Sequence, residues 1–333
     1  MKHETRILLA EYVTGGGLAP EIPDAALLHE GELMIEALVA DLSEAGQHQL
    51  TVLRDARLPI PRSWRNEPRI DVIPIDGAIP FDLAWGRQLD RCDAVWPIAP
   101  ETAGVLERLT RQAEASDASL LGCPADAVRL TSSKLATAHR LARAGIAVIG
   151  TRSIPCADRP DQWPVVVKPD DGVGCGGAEI LPTLDDYRLW HARVADTARY
   201  VVQPLLQGRA SSLSVLFERG RARLLSINRQ HVHVEQRRFH LSHCTVERPC
   251  GSREDLQRLA AEIAAALPEL SGYAGVDFID TEQGPVVLEV NPRLTTSYAT
   301  LRETTGINAA ELVLRLKLES RGGMPSTDAE CLH

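Results

Sequence analysis

Residues 275–293 read Gly-Val-Asp-Phe-Ile-Asp-Thr-Glu-Gln-Gly-Pro-Val-Val-Leu-Glu-Val-Asn-Pro-Arg, and this stretch decides the fold of the chain. Two β-rich runs flank a polar turn, which predicts an antiparallel hairpin. Because side chains alternate along a strand, Glu289 and Asn291 share one face, and pairing can place Asp277 opposite them. Two neighbouring carboxylates repel each other, and a hard cation such as Mg²⁺ relieves that repulsion. The alternative is an exposed hairpin with ordinary acidic residues.

The composition excludes several classes of protein. The chain has 333 residues, 44% hydrophobic and 24% charged, which suits a globular protein of two or three domains. Its net charge of -9 and its 4% of aromatic residues argue against a nucleic-acid surface. No apolar run approaches a membrane span, and the N-terminus lacks the apolar core of a signal peptide. The scattered cysteines form no Cys-x-x-Cys pair, which predicts reduced thiols and a cytoplasmic location.

Strand and helix patterns alternate through the first third of the chain, which is typical of a parallel α/β layer. We predict strands at 6–10, 50–53, 70–75, 93–98, 165–167, 178–181, 200–205, 211–217 and 222–227. We predict helices at 30–45 and 100–115, after the capping residues 131–133 and Thr183, from Ser252, and at 296–305 and 308–318. The chain then divides into an α/β domain (1–115), two α+β subdomains (116–200 and 201–318) and a flexible polar tail (319–333).

A glycine-rich loop follows a buried strand that ends in Lys168. Its glycines let backbone N–H groups turn toward an anion at low steric cost, and the lysine can neutralise phosphate oxygens. These glycines are Gly172, Gly174, Gly176 and Gly177. A flexible surface hairpin has a similar composition. No Gly-Lys-Ser/Thr follows, so the loop is not a P-loop, and the strand pattern at 178–181 excludes the dinucleotide fingerprint.

In this order and spacing, the motifs resemble those of the ATP-grasp ligases. Lys134, in Ser-Ser-Lys-Leu-Ala, matches the first nucleotide lysine of that family. Lys168 and the loop 172–177 match the second lysine and the loop that covers the phosphates. The run Val-Val-Gln-Pro-Leu-Leu-Gln-Gly resembles the hinge strand, which implies adenine contacts at Gln203 and Leu205.

The same resemblance assigns the acidic hairpin. Asp277, Glu289 and Asn291 match the magnesium triad, and Arg293 resembles an arginine that stabilises the transferring phosphate. The implied fold is an ATP-grasp fold, in which two α+β subdomains clamp ATP, preceded by a Rossmann-like pre-ATP-grasp domain. The implied cofactors are ATP and Mg²⁺, for which Mn²⁺ can substitute. Family members act on small molecules and are often homodimers.

The implied activity is that of an ADP-forming carboxylate–amine ligase. A carboxylate attacks the γ-phosphate of ATP, and an amine then displaces phosphate from the acyl phosphate to form an amide. Attack by one anion on another requires that charge be screened, which magnesium, Lys134, Lys168 and Arg293 can supply. Lys168 and Arg293 are therefore the candidate catalytic residues.

A narrower resemblance concerns the substrates. The motifs at 11–17, 228–230 and 291–298 are similar to those of the tyramine–glutamate ligases of methanofuran-type cofactor biosynthesis. Those enzymes join the γ-carboxylate of glutamate to tyramine. Substrate candidates are then Arg229, Thr295, Thr296 and Ser297. The hydroxyl residues can orient the acceptor amine or cap the following helix.

Two other functions stay open at this point: a ligase for other amino acids, which forms dipeptides or polyglutamate, and a non-catalytic ATP-binding module. The second gains support from Ala210, because many family members carry there a glutamate that holds the ribose.

A polar stretch follows the second predicted hairpin. Arg229 ends a strand in this prediction, and it can bind a carboxylate or phosphates. We interpret Arg237 and Arg238 as part of a solvated loop. The set His231, His233, His240, His243 and Cys244 has a spacing that also occurs in zinc sites. No second ligand pair frames this set, and a role near the substrate is the alternative.

Overall fold

In the part of the chain that the structure describes, the first β-sheet has five parallel strands. The computed structural model describes residues 5–154, 160, 162–249 and 253–318. The strands are β1 (Arg6–Glu11), β2 (Gln49–Asp55), β3 (Ile70–Ile75), β4 (Ala94–Ile98) and β5 (Ser119–Leu120), with helices α1 (Ala25–Ala45), α2 (Phe81–Leu89) and α3 (Val105–Glu114). Their order is β3-β2-β1-β4-β5, so the chain changes direction across the sheet between β1 and β4. In open α/β sheets, ligands bind outside the carboxyl ends of the strands at such a point.

The second sheet is antiparallel and has the order β6-β9-β7-β8. Its strands are β6 (Arg152–Ser153), β7 (Val165–Pro169), β8 (Glu179–Leu181) and β9 (Tyr200–Pro204). Helices α4 (Ala125–Ser132) and α5 (Lys134–Arg143) precede it, and α6 (Leu184–Arg193) lies between β8 and β9. The glycine loop connects β7 to β8.

The third sheet is also antiparallel and contains the acidic hairpin. Its order is β12-β11-β10-β13-β14. The strands are β10 (Arg209–Glu218), β11 (Arg221–Glu235), β12 (Arg238–Glu247), β13 (Gly272–Thr281) and β14 (Gly284–Asn291). Helices α7 (Glu254–Ala266), α8 (Tyr298–Thr305) and α9 (Ala309–Leu318) complete this part of the chain.

The apolar cores show how the sheets are joined. One buried cluster is continuous from the first sheet to the third, and it includes Leu8, Trp85, Phe217 and Ile263. The second sheet has a smaller core of its own around Val167, Trp190 and Val202. The second sheet is therefore packed separately from the other two. Residues of the second and third sheets face each other across a cavity.

Several expectations need correction. The stretch after the second hairpin is not a loop: β11 continues through Arg229 to Glu235 and pairs with β12. Arg229 therefore does not end a strand, and Arg238 is the first residue of β12. The sequence analysis missed this pairing because both strands are polar and largely exposed, so they lack the apolar alternation that marks a strand. It also missed α2, α4, β5 and β6.

Other expectations agree with the structure or lie outside it. The remaining predicted strands and helices are present with shifted ends; α1, for example, begins at Ala25, where Asp24 caps it. Ser252, where a helix was predicted to begin, and the predicted tail 319–333 lie outside the described residues. The described helix in that region, α7, begins at Glu254. None of the helices in the described ranges is long and apolar enough to cross a membrane.

A buried hydrogen bond joins the first sheet's helix α1 to α8. The Tyr298 hydroxyl donates to Asp41 Oδ2 at 2.6 Å, and both residues are buried. We expect Tyr298→Phe to lower the free energy of unfolding by about 1.5–3 kcal/mol, because the carboxylate loses a charged hydrogen bond. Urea unfolding measures this loss. Tyr200→Phe is the control, because that hydroxyl makes no hydrogen bond within the described residues, and equal stability of both variants would contradict the prediction.

Candidate active site

The paired strands β13 and β14 bring the acidic residues to one face. Asp277 lies directly opposite Glu289, and Gly275 lies opposite Asn291. The side-chain amide of Asn291 donates to Asp277 Oδ2 at 3.4 Å, and the side-chain amide of Gln230 donates to Asp277 Oδ1 at 3.3 Å. A Cβ on Gly275 would lie 2.6 Å from Thr295 Cγ2, so glycine at 275 lets the segment after β14 pack against the hairpin.

Two lysines from distant parts of the chain reach the same carboxylate. Lys134 Nζ lies 3.3 Å from Glu289 Oε2, and Lys168 Nζ lies 4.0 Å from the same atom. Asp170 holds Lys134 in place, because its carboxylate accepts hydrogen bonds from Ser133 Oγ and the Leu135 amide at the start of α5. The Asp170 and Gly172 carbonyls also accept hydrogen bonds from Lys134 Nζ.

Burial and the neighbouring charges shift the pKa values of the ionisable side chains at this centre. Burial and the neighbouring Glu289 raise the pKa of Asp277 to about 7. For Glu289, burial opposes ionisation, but Lys134 and Lys168 outweigh it and lower the pKa. Burial and Lys134 lower the pKa of Lys168, against the attraction of Glu289. The positive charges near Asp277 therefore do not compensate for the burial and the repulsion that disfavour its ionised form.

This donor set fits a hard divalent cation. Mg²⁺ prefers carboxylate and carbonyl oxygens and is commonly held by one or two carboxylates. Asp277 and Glu289 supply two carboxylates, and the side-chain amide of Asn291 adds an oxygen. A bound cation would also relieve the repulsion that raises the pKa of Asp277.

A cavity of about 550 Å³ lies between the second and third sheets. It is lined by apolar side chains and by the segment that follows β9, and its lining also includes Lys168, Asp277 and Glu289. The apolar lining includes Ile149, Val166, Ile279 and Leu288. An apolar slot whose lining also includes a lysine and two carboxylates has the polarity of a nucleoside triphosphate with its metal. Ala210 lines this cavity, so no carboxylate stands at that position.

Gln203, Leu205 and Leu206 of the predicted hinge strand line the cavity, but their hydrogen bonds differ. Gln203 is 2% exposed, and its amide donates to Thr151 Oγ1 at 2.9 Å, so its side chain is committed to the interior. The Leu205 amide donates to the Pro164 carbonyl at 3.1 Å. Leu206 lines the same cavity, and its amide has no hydrogen-bond partner within the described residues. Leu206 is thus a residue that the sequence analysis missed.

A second cavity of about 510 Å³ meets the first at Asp277 and Glu289. Its walls come from the carboxyl ends of β1 and β4, from α1, from β12 and from the segment after β14. Thr295, Thr296 and Ser297 all line it. The hydroxyls of Thr295 and Ser297 bond each other at 3.0 Å, and no side chain caps α8, so the capping alternative does not describe these residues.

The glycine loop borders both cavities. Gly174 lines both of them, and Gly176 and Gly177 line the second. Gly174 and Gly177 have φ values of 55° and 72°, which a residue with a side chain rarely adopts. Gly172 borders neither cavity; its carbonyl instead accepts a hydrogen bond from Lys134. The loop therefore contributes three of its four glycines to the candidate site.

Arg293 lines the second cavity, but its charge is already engaged. Its Nε lies 3.1 Å from Glu101, which follows β4 in the first sheet. Burial opposes the charge of Arg293, and Glu101 outweighs burial and raises its pKa. Glu101 is a further residue that the sequence analysis missed. Its position just beyond the carboxyl end of a parallel strand was the available signal.

The polar hairpin of β11 and β12 covers the two cavities. Arg229 lines the first cavity and not the second, which favours phosphate as its partner over an amino-acid carboxylate. Arg238 is exposed and lines the second cavity, but it lies in strand β12, so the interpretation as part of a loop was wrong for this residue. The Arg237 guanidinium donates to Asp186, and its carbonyl accepts from the Ile180 amide at 2.8 Å. The hairpin tip therefore connects the third sheet to the second.

The histidines of this hairpin are stacked in pairs. The rings of His231 and His243 lie 4.0 Å apart, and those of His233 and His240 lie 5.3 Å apart. Throughout the part of the chain that the structure describes, no three His, Cys, Asp or Glu side chains converge as metal ligands. The zinc alternative has no geometric support.

Two lysines, a glycine loop and an acidic hairpin around a cavity between two antiparallel sheets define an ATP-grasp enzyme. A family model described as an ATP-grasp domain matches residues 131–297, and one described as a pre ATP-grasp 3 domain matches residues 48–128. The chain belongs to the ATP-grasp family, and it is an ATP-dependent carboxylate–amine ligase. The expected fold with its Rossmann-like first domain is confirmed.

Similar proteins agree with this assignment. A tyramine–L-glutamate ligase from Methanocaldococcus jannaschii is 24% identical over 311 residues, which cover 93% of this chain and 88% of the relative. A putative ATP-grasp superfamily protein from Archaeoglobus fulgidus has a TM-score of 0.69 at 22% identity, over 94% of this chain and 89% of that one. A D-alanine–D-alanine ligase from Bacillus anthracis, solved with ATP, has a TM-score of 0.64 at 18% identity, over 96% and 99%. The two structures show the fold.

Proposed function

We propose that this enzyme joins the γ-carboxylate of L-glutamate to tyramine through an acyl phosphate, in methylofuran-type cofactor biosynthesis. The observation that carries the proposal is the meeting of the two cavities at Asp277 and Glu289. One cavity suits a nucleotide, and the other is a separate chamber for small molecules at the same carboxylates. The M. jannaschii relative named tyramine–L-glutamate ligase supports the choice of substrates.

In this proposal ATP lies in the first cavity, with its base near Gln203, Leu205 and Leu206 and its phosphates toward the two lysines. The carboxylate substrate enters from the second cavity and attacks the γ-phosphate. Asp277, Glu289 and Asn291 would hold magnesium, which would screen the charge of the triphosphate.

The residues of the chain then have separate tasks. Lys168 compensates the charge that develops on the transferring phosphoryl group, and the glycine loop covers it with the amides of Gly174 and Gly177, whereas the Gly176 amide donates to the Val173 carbonyl. Arg293, held by Glu101, lies in the chamber where the acyl phosphate forms. Thr295 and Ser297 orient the amine that displaces phosphate, and enclosure by both sheets excludes water from the acyl phosphate.

The proposal includes four broader expectations. Mn²⁺ substitutes for Mg²⁺, the enzyme is a homodimer, and it works in the cytoplasm. The chain divides into the domains expected at 1–115, 116–200 and 201–318, with two bounds moved: the first domain extends through β5, which belongs to the first sheet, and the second extends through β9, which belongs to the second sheet.

The direct test is formation of ADP and phosphate by the full chain with MgATP, L-glutamate and tyramine. We expect ADP release to require both substrates, because the acyl phosphate turns over only when an amine receives the acyl group. Chelation of the metal by EDTA should abolish the release. Mass spectrometry should detect γ-glutamyltyramine.

The outcome also separates the alternatives. An amide product with other amino acids, and none with tyramine, would keep the ligase and refute the proposed substrates. Tight ATP binding without turnover across a broad panel of amines would instead favour the non-catalytic module.

A further inference from the structure

The part of the second cavity that β1 and α1 form is acidic. Glu11 at the end of β1 and Glu30 on α1 both line the cavity. Glu11 is only 2% exposed, and its Oε2 accepts a hydrogen bond from the Thr14 amide at 2.7 Å. A Cβ at Gly31 would lie 2.5 Å from the same oxygen, so glycine allows α1 to pack against this carboxylate. The two glutamates thus belong to one packed wall.

Neither carboxylate has a committed counter-ion. Within the described residues, no lysine or arginine forms an ion pair with Glu11 or Glu30, and Glu30 has no hydrogen-bond partner. Burial raises the pKa of both: for Glu11, hydrogen bonds from Thr14 and Val13 and then the charge of Arg293 offset it only in part, and for Glu30 the charge of Arg293 does so. His29 also acts on Glu30, from an exposed position. Glu11 is buried with a hydrogen bond but no ion pair, and Glu30 is half-buried with neither, so a cationic group on a ligand would stabilise this wall.

The location of this wall points to a substrate. It lies outside the carboxyl ends of β1 and β4, at the point where the strand order of the first sheet reverses. The charge of Glu30 also acts across the cavity on the thiol of Cys175 in the glycine loop. The apolar side chains of Leu27, Met34 and Ile98 line the same cavity. A small molecule with a cationic end and an apolar body would fit between this wall and the reacting phosphate.

We propose that Glu30, supported by Glu11, binds a primary ammonium group of a substrate and so determines substrate specificity. The inference rests on the proposed function for the reaction and adds the residue that recognises charge. Two ammonium groups qualify: the α-ammonium of the amino acid, and the ammonium of the amine before it loses its proton and attacks. A carboxylate at 30 would orient either group by a charge-assisted hydrogen bond.

The test compares ligands that differ only by the amino group. Isothermal titration calorimetry on the full chain with MgADP measures Kd for L-glutamate against glutarate, and for tyramine against 4-ethylphenol. We expect Glu30→Gln to weaken binding of one ammonium ligand by about 10- to 100-fold, in line with a charged hydrogen bond. Binding of its counterpart without the amino group should not change. The ligand that weakens identifies which ammonium is bound.

The matched control is Glu36→Gln, which changes an exposed glutamate of the same helix outside both cavities. It should bind every ligand as the wild type does. The proposal is overturned if the wild type binds each ligand no tighter than its counterpart, or if Glu30→Gln keeps the full preference for the ammonium form. An intact preference in the wild type that Glu30→Gln loses, without any γ-glutamyltyramine product, would refute the proposed reaction and support the ammonium assignment.

Discussion

Asp277→Asn should lower the rate of ADP formation at least about a hundredfold, because loss of a direct metal ligand should exceed the 10–100-fold effect of losing its supporting partners. The side chain keeps its size, so the Gln230 and Asn291 amides lose only a charged acceptor. Steady-state turnover across a range of Mg²⁺ concentrations is the measurement. Part of the loss should appear as a higher Mg²⁺ requirement.

The same substitution should not unfold the protein. Burial and Glu289 already disfavour the charge of Asp277, so a neutral amide at 277 should leave the unfolding free energy in metal-free buffer equal or higher. Glu282→Gln, in the exposed turn of the same hairpin, is the control and should have wild-type turnover. Near-normal turnover of Asp277→Asn at low Mg²⁺ would refute the assignment of this residue as a metal ligand.

Lys168→Met should lower kcat by about 10²–10³-fold, the range found when one group that stabilises developing charge is removed. Methionine keeps the apolar length of the side chain, while the positive charge near Glu289 is lost. Lys134 still contacts Glu289, so the carboxylate keeps one partner and the fold should persist. Measurement of kcat and of KM for ATP separates loss of catalysis from loss of nucleotide binding.

Lys317→Met is the control for this prediction. Lys317 donates to the Ser271 carbonyl and lines neither cavity, so its variant should retain wild-type kcat. A Lys168→Met enzyme with normal kcat and normal KM for ATP would show that this lysine does not meet the phosphates.

From the sequence, the functional residues of the third sheet could be predicted better than the length and pairing of its strands. The acidic hairpin was predictable because a polar turn between two apolar, alternating runs is local information. The β11–β12 hairpin was not, since its exposed faces give no apolar period, and Arg229 was consequently placed at the end of a strand. The order of motifs assigned Lys134, Lys168 and the glycine loop to one site, but no local pattern showed that Gly172 would turn away from it.

By itself, the sequence determined which residues carry the chemistry: an acidic hairpin, two lysines, a glycine loop and the class of enzyme that unites them. Only the tertiary structure decided which residues from other parts of the chain surround these groups. Arg293 pairs with Glu101, 192 positions away, and Glu30 joins the cavity from a helix of the first sheet. A hairpin with an apolar period follows from neighbouring residues, whereas the partner of a buried charge depends on how whole sheets pack, which no short stretch of sequence specifies.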